Sequence, residues 1–265
     1  MKIDFSTAVK NGLKYSILKD RVAIYFALLA VYMIGMVYPM YRLIGAISGL
    51  AAGGGPEIFI TLIGPLLTMI FVIFIFTLIS IWVNMAYVQD YATGAKQGGL
   101  MKAFSDVKKY YWRMLAVTIV IVIISALLGA IPYIGWIFSF LLSWVFLFAT
   151  QFVILGNKKF RDVFSTCWET FKQHHWDIVV LWVVGALVGM VIMGIFAIPL
   201  IGMSLSIVLP YLMGNNPMGA LTAFMDNLAL IGIGAFIALI GASISTVFSV
   251  GFFTDGYLQI FKKKK

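Results

Sequence analysis

Charge is scarce in this chain. Asp, Glu, Lys and Arg make up 11% of its 265 residues, against 62% for apolar types. A soluble domain carries roughly 25% charged and about 45–50% apolar residues, so this chain cannot cover a water-facing surface. Its one cysteine, Cys167, excludes an internal disulfide and any thiolate metal cage. On an amphipathic segment Cys167 could carry a reversible acyl chain or lie buried and inert. The two histidines, His174 and His175, are adjacent, whereas two ligands on one helical face need a spacing of about three or four. No metal site is expected. Also missing are a Walker A sequence, a Gly-x-Ser-x-Gly elbow and a His-Glu-x-x-His pair. Nothing assembles a nucleophile, a base and an oxyanion site, so the reading is non-enzymatic and calls for no cofactor. The first residues, Met1 to Arg21, are polar and amphipathic and do not read as a secretory signal.

What is abundant is apolar length. Mean hydropathy is +1.03, and apolar runs recur throughout, which leaves no room for a soluble domain. Residues 1–265 read as a single integral membrane domain. A helix needs about 20 apolar residues to cross the hydrocarbon core. Six runs qualify, at about residues 22–47, 56–91, 114–131, 136–155, 176–209 and 227–261. Pro56 and Glu57 are favourable start signals for the second, after a flexible stretch at 51–55. A reversal at Pro132-Tyr133-Ile134-Gly135 joins the third to the fourth. Pro199 is expected to kink the fifth, because proline removes a backbone donor.

Net charge is +9, and its placement gives orientation. Lys2, Lys10, Lys14, Lys19 and Arg21 precede the first run. Lys96, Lys102, Lys108, Lys109 and Arg113 surround the loop after the second. Lys158, Lys159, Arg161 and Lys172 follow the fourth, and Lys262 to Lys265 end the chain. Eighteen of the nineteen basic residues thus fall on one side, and Arg42 alone lies toward the other. The positive-inside rule predicts both termini in the cytoplasm of a cell-membrane protein. The basic residues then face anionic headgroups on the cytoplasmic side, and nucleic acid is not an expected partner.

Before the first, third and fifth runs lies a basic amphipathic segment, at residues 4–20, 100–113 and 159–175. The first has Phe5, Val9, Leu13 and Ile17 at four-residue steps. The third has Phe160, Val163, Phe164, Cys167, Trp168 and Phe171 at helical spacing. Such helices lie in the interface with the apolar face in lipid. One amphipathic helix followed by two spanning helices, three times over, suggests a threefold internal repeat. The plainer reading is that any cytoplasmic loop of a membrane protein looks basic and amphipathic. The predicted fold is all-α: a polytopic membrane bundle of six transmembrane helices with cytoplasmic amphipathic interfacial helices.

The stretch Met101-Lys102-Ala103-Phe104, Tyr111-Trp112-Arg113, Ile131-Pro132-Tyr133-Ile134-Gly135-Trp136 and Phe164 with Trp168-Glu169-Thr170-Phe171-Lys172 resembles a broad group of uncharacterised prokaryotic six-helix membrane proteins. That group is similar to the membrane domain fused to some glycerophosphodiester phosphodiesterases. The resemblance implies a helical membrane domain and no catalytic residues. The soluble phosphodiesterase barrel with its metal-binding acids has no counterpart here.

Ionisable groups inside a membrane are costly and therefore candidates for function. Asp90, Gln151 and Asp255 lie at matching places near the ends of the second, fourth and sixth runs. They form the candidate polar inner-leaflet site, for a proton, a cation or a lipid headgroup. The alternative puts them at headgroup depth, satisfied by water and nearby lysines. Arg42 is a candidate outer anion or lipid contact, or a residue that snorkels to the outer headgroups. Glu57 and Asp226 read as helix-start acids. Gly185 and Gly189 have the spacing of a close helix contact, within the chain or in a homo-oligomer. The expected function is a scaffold, accessory subunit or membrane-organising component, alone or in a membrane-protein complex. A transporter or lipid-handling protein is the alternative.

Overall fold

The computed structural model describes residues 3–51, 57–94, 99–214 and 217–261. The glycine-rich stretch from 52, the Pro56 start signal, Lys2, Lys96, Asn215-Asn216 and the Lys262–Lys265 tail lie outside them. The described residues are all-α, with no strand among them. The elements are α1 (Phe5–Ser16), α2 (Lys19–Ala51), α3 (Glu57–Thr93), α4 (Gly99–Val107), a 3-10 turn (Lys108–Tyr110), α5 (Tyr111–Gly129), α6 (Gly135–Val145), α7 (Ala149–Ile154), α8 (Phe160–Met213), α9 (Pro217–Asp226) and α10 (Leu228–Phe261). Six stretches are long and apolar enough to cross a membrane, which makes this a multi-pass membrane protein.

Three boundaries differ from the sequence reading. The fourth span is interrupted at residues 146–148, between α6 and α7, although it holds neither proline nor glycine there. The amphipathic segment and the fifth span fuse into one helix, α8. Its non-helical backbone lies at His174 (φ −129°, ψ 26°) rather than at Pro199. The kink therefore marks the junction of the amphipathic part with the spanning part. Between α8 and α10 stands a further helix, α9, in the stretch between the fifth and sixth apolar runs.

The repeat is visible in how the helices pack. Within each unit the two spanning helices pair: α2 with α3, α5 with α6, and α8 with α10. Each amphipathic helix then packs on the second spanning helix of the unit before it. So α4 lies on α3, the first part of α8 lies against the turn between α6 and α7, and α1 lies on α10. The last contact closes the ring. Each of these helices carries a Phe-Ser pair, at Phe5-Ser6, Phe104-Ser105 and Phe164-Ser165. Three residues after each Phe comes a side chain without access to solvent: Ala8, Val107 and Cys167. All three belong to one continuous apolar core.

That core sits toward the end of the bundle that holds α1, α4 and the start of α8, here termed the basic end. Tyr87, Phe148, Phe248 and Phe252 are fully buried there. Toward the opposite end, α2 and α3 expose Ile34, Val37, Ile60, Ile63 and Ile70, the outward apolar surface that a spanning helix turns to hydrocarbon.

Helix α1 docks by a face that its Phe5-Val9-Leu13-Ile17 series marks only in part: Phe5 and Val9 pack against the core, Leu13 and Ile17 do not. Ala8, Gly12, Tyr15 and Ser16 are buried, while Ile17 is 75% exposed. A Cβ on Gly12 would stand 3.0 Å from the Phe248 ring, so the small residue is what lets α1 reach α10. Gly185 and Gly189 on α8 face α10 in the same way. A Cβ on Gly185 would meet both Phe252 and Phe253 at 2.9 Å, and Ser245 Oγ donates to the Gly189 carbonyl at 3.1 Å. Their spacing marks a contact inside the chain. Cys167 is buried, with its thiol inside the core rather than on a surface open to acylation.

Candidate functional site

The polar groups of the basic end form two adjacent constellations. Asp90, one turn from the end of α3, is 3% exposed. A carboxylate so placed needs a charged partner, and Arg21 supplies it from the first turns of α2. Nη2 of Arg21 donates to Oδ2 at 3.0 Å and Oδ1 at 3.2 Å, and Nε donates to Oδ2 at 3.2 Å. Arg21 is itself 8% exposed. A planar guanidinium suits this fork geometry, which an ammonium could not reproduce. The Tyr15 hydroxyl, from α1, donates to Oδ2 of Asp90 at 2.8 Å. Tyr87 donates to the Arg21 carbonyl at 2.5 Å. Burial, and after it the charge of Asp90, push the Tyr15 phenol well above its ordinary range, so this hydroxyl stays a donor. Three helices, α1, α2 and α3, are thus joined at one carboxylate.

Asp255, near the end of α10, is half-buried and has a different company. Oδ1 accepts from Asn11 Nδ2 at 3.1 Å and from the Tyr91 hydroxyl at 2.8 Å. Oδ2 accepts from Gln259 Nε2 at 2.6 Å, one turn along α10. Gln259 also receives the Asp4 amide at 2.7 Å, fastening the start of α1 to the end of α10. Among the described residues no Lys, Arg or His pairs with Asp255.

The two constellations touch through their tyrosines. Tyr15, which serves Asp90, and Tyr91, which serves Asp255, meet edge to face with centroids 5.1 Å apart. Each carboxylate thus has its own donors, and aromatic packing joins the two constellations. Beside them is a cavity of about 280 Å³ lined by Asn11, Lys14, Tyr15, Leu18, Asp90, Tyr91 and Gly94.

Gln151 on α7 is buried, and its Nε2 makes a long hydrogen bond to Thr254 Oγ1 at 3.4 Å. Its Oε1 has no partner among the described residues. Gln151 therefore sits next to the helix that carries Asp255 without reaching either acid. Arg42 lies exposed on α2 near the opposite end. With Tyr41, Thr61 and Thr222 it lines a separate cavity of about 470 Å³. His174 Nδ1 stands 3.7 Å from Asp177 Oδ2, at the kink in α8. Among the described residues no three His, Cys, Asp or Glu side chains come together.

Arg21, Tyr15, Tyr91, Asn11 and Gln259 complete these constellations, and reading the sequence passed them over. Arg21 counted there as one of many basic flanking residues. Its partner lies 69 positions away and that of Tyr15 lies 75 away. One signal was present: an acid inside an apolar run calls for strong donors, and Arg21 is the arginine at the start of the paired run.

The second unit repeats part of the first. The Arg21 guanidinium lies over the Tyr15 ring at 5.8 Å, and that of Arg113 lies over Tyr110 at 5.6 Å. Arg113 then reaches past its own unit's second span, donating to Asn157 Oδ1 at 3.1 Å and to the Lys158 carbonyl at 2.9 Å. The third unit begins its span with His174 and Asp177 instead, and holds no such arginine. Asp255 accordingly keeps neutral donors where Asp90 has a guanidinium.

Compared with protein families, with curated proteins and with solved structures, the chain matches none.

Proposed function

We propose that this chain is a non-enzymatic membrane component, a scaffold or accessory subunit that presents its basic end to anionic headgroups of the cytoplasmic leaflet. The observation that carries this reading is the use of the polar groups. Both oxygens of Asp90 and Oδ1 of Asp255 take donors from other helices, so the costly charges hold the helices together. The sequence puts eighteen of its nineteen basic residues in segments on one side of the six runs, which supports the orientation. The sequence resemblance to membrane domains that accompany a separate catalytic barrel agrees with an accessory role.

A transporter or lipid-handling role is the second reading. The interrupted fourth span and the unpartnered Gln151 Oε1 favour it, since broken helices line substrate sites in carriers. Thermal unfolding of the purified protein, scanned over pH and over sodium and potassium concentration, separates the two. A scaffold gives a flat response. A pH- or cation-dependent stabilisation that Asp255→Asn removes would overturn the scaffold reading in favour of the carrier. Reporter fusions at Gly135 and Lys159 test orientation, with external and cytoplasmic signals expected respectively.

A further inference from the structure

The outer face of α3 carries two hollows that share one residue. The first, about 180 Å³, lies between α2 and α3 and is lined by apolar side chains, among them Val72 and Ile79, with Gly35 opposite. The second, about 330 Å³, lies nearer the basic end between α3 and α5. Ile79 lines it too, together with Trp82, Tyr111, Trp112 and Lys108. From Val72 to Trp82 the two hollows, meeting at Ile79, together border ten residues of helix, about 15 Å at 1.5 Å per residue. That is half of a hydrocarbon core about 30 Å thick, the depth of one leaflet.

The walls at the basic end are fastened. The Trp82 indole donates to the Phe104 carbonyl at 3.3 Å, tying α3 to α4. The Tyr111 hydroxyl donates to the Leu78 carbonyl at 3.2 Å, tying α5 to α3. Both aromatic rings are thus fixed before anything binds. Trp112, 77% exposed, stands at the mouth, the depth at which indoles collect in membranes. Lys108, in the 3-10 turn, makes no ion pair with any described residue. An apolar trough of leaflet depth that ends at an unpaired ammonium is complementary to one kind of molecule.

We propose that this groove is a specific site for an anionic phospholipid, with one acyl chain along α3 past Ile79 and the phosphate on Lys108. The inference rests on the basic end facing anionic headgroups, and it adds a position and a stoichiometry. The test is native mass spectrometry of the full-length protein, released from nanodiscs of equal phosphatidylglycerol and phosphatidylcholine. Wild type should retain one phosphatidylglycerol in preference to phosphatidylcholine. Lys108→Gln should lower that preference about fivefold, the factor for one basic residue worth about 1 kcal/mol. Ile79→Trp, which fills the trough, should lower retention of both lipids. Lys172→Gln, a basic residue on α8, should change neither. Equal retention of the two lipids by wild type would overturn the site and the proposed preference for anionic headgroups together. A loss on Lys172→Gln equal to that on Lys108→Gln would overturn the site alone, because a diffuse basic surface would then hold the lipid. An unaltered Lys108→Gln profile would do the same.

Discussion

Asp90 and Asp255 are the same kind of residue, near the same end of the bundle, each on the second spanning helix of its unit. Asp90 is closed off from solvent and gripped by a guanidinium and a phenol. Asp255 is half-buried and held by two amides and a phenol, all neutral. The difference originates at the start of the unit's first span, where Arg21 stands in the first unit and the third offers His174 and Asp177. An internal repeat can therefore keep a packing plan while letting its electrostatics diverge. The first unit has an internal ion pair. The third has a carboxylate that depends on α1 and α3 for its donors.

The largest way to break this comparison is to remove the guanidinium. Arg21→Met leaves Asp90 buried without a cation and should lower stability in detergent by about 3–5 kcal/mol, the usual cost of breaking a buried pair. Asp90→Asn added to Arg21→Met should recover much of that loss, because a buried pair exchanged for neutral groups is often nearly neutral. If the double variant is as unstable as the sum of its singles, the two residues do not act as a pair. Chemical denaturation of the four proteins gives the coupling directly.

Tyr15→Phe comes next. It removes one donor from a buried charged acceptor and should cost about 1–3 kcal/mol, read as a lower midpoint with an unchanged fold by circular dichroism. Gly185→Ala probes the packing both clusters rest on. Its Cβ would press on Phe252 and Phe253, and overpacking of this kind costs about 1–3 kcal/mol. Asp255→Asn should be milder, about 1 kcal/mol, since an amide oxygen can still accept from Asn11 and Tyr91. A cost equal to that of Arg21→Met would show that Asp255 has a cationic partner after all. The smallest effect is expected from Arg113→Gln, about 0–1 kcal/mol, because its bonds to Asn157 and the Lys158 carbonyl lie in exposed or half-exposed positions.

Much of the architecture was legible because the membrane imposes simple rules. Backbone groups in hydrocarbon must be satisfied within a helix, so apolar length alone located six spans. The short helices α1 and α4 were legible from their period. Their docking was not. Phe5 and Val9 of the expected face do pack against the core, but Leu13 and Ile17 turn away and Ala8, Gly12 and Tyr15 make the closest contact with the bundle, because close approach favours small residues that hydrophobicity does not flag. The break at residues 146–148 was hidden for a related reason. No proline or glycine announces it, and packing of Phe146 on Phe164 and of Phe148 on Tyr257 occupies the interruption.

Of the candidate site, the sequence by itself determined that Asp90, Gln151 and Asp255 would fall in one layer, since position along a spanning helix sets depth. It also determined that Arg42 would stand apart from the other basic residues. Only the tertiary structure decided which partner each polar group has: Arg21 and Tyr15 for Asp90, Asn11, Tyr91 and Gln259 for Asp255, and a half-satisfied amide for Gln151. Depth is a local property of one helix and is written in its composition. Partnership depends on how helices from distant parts of the chain rotate against one another, and a rotation of a few tens of degrees brings a different side chain to the contact.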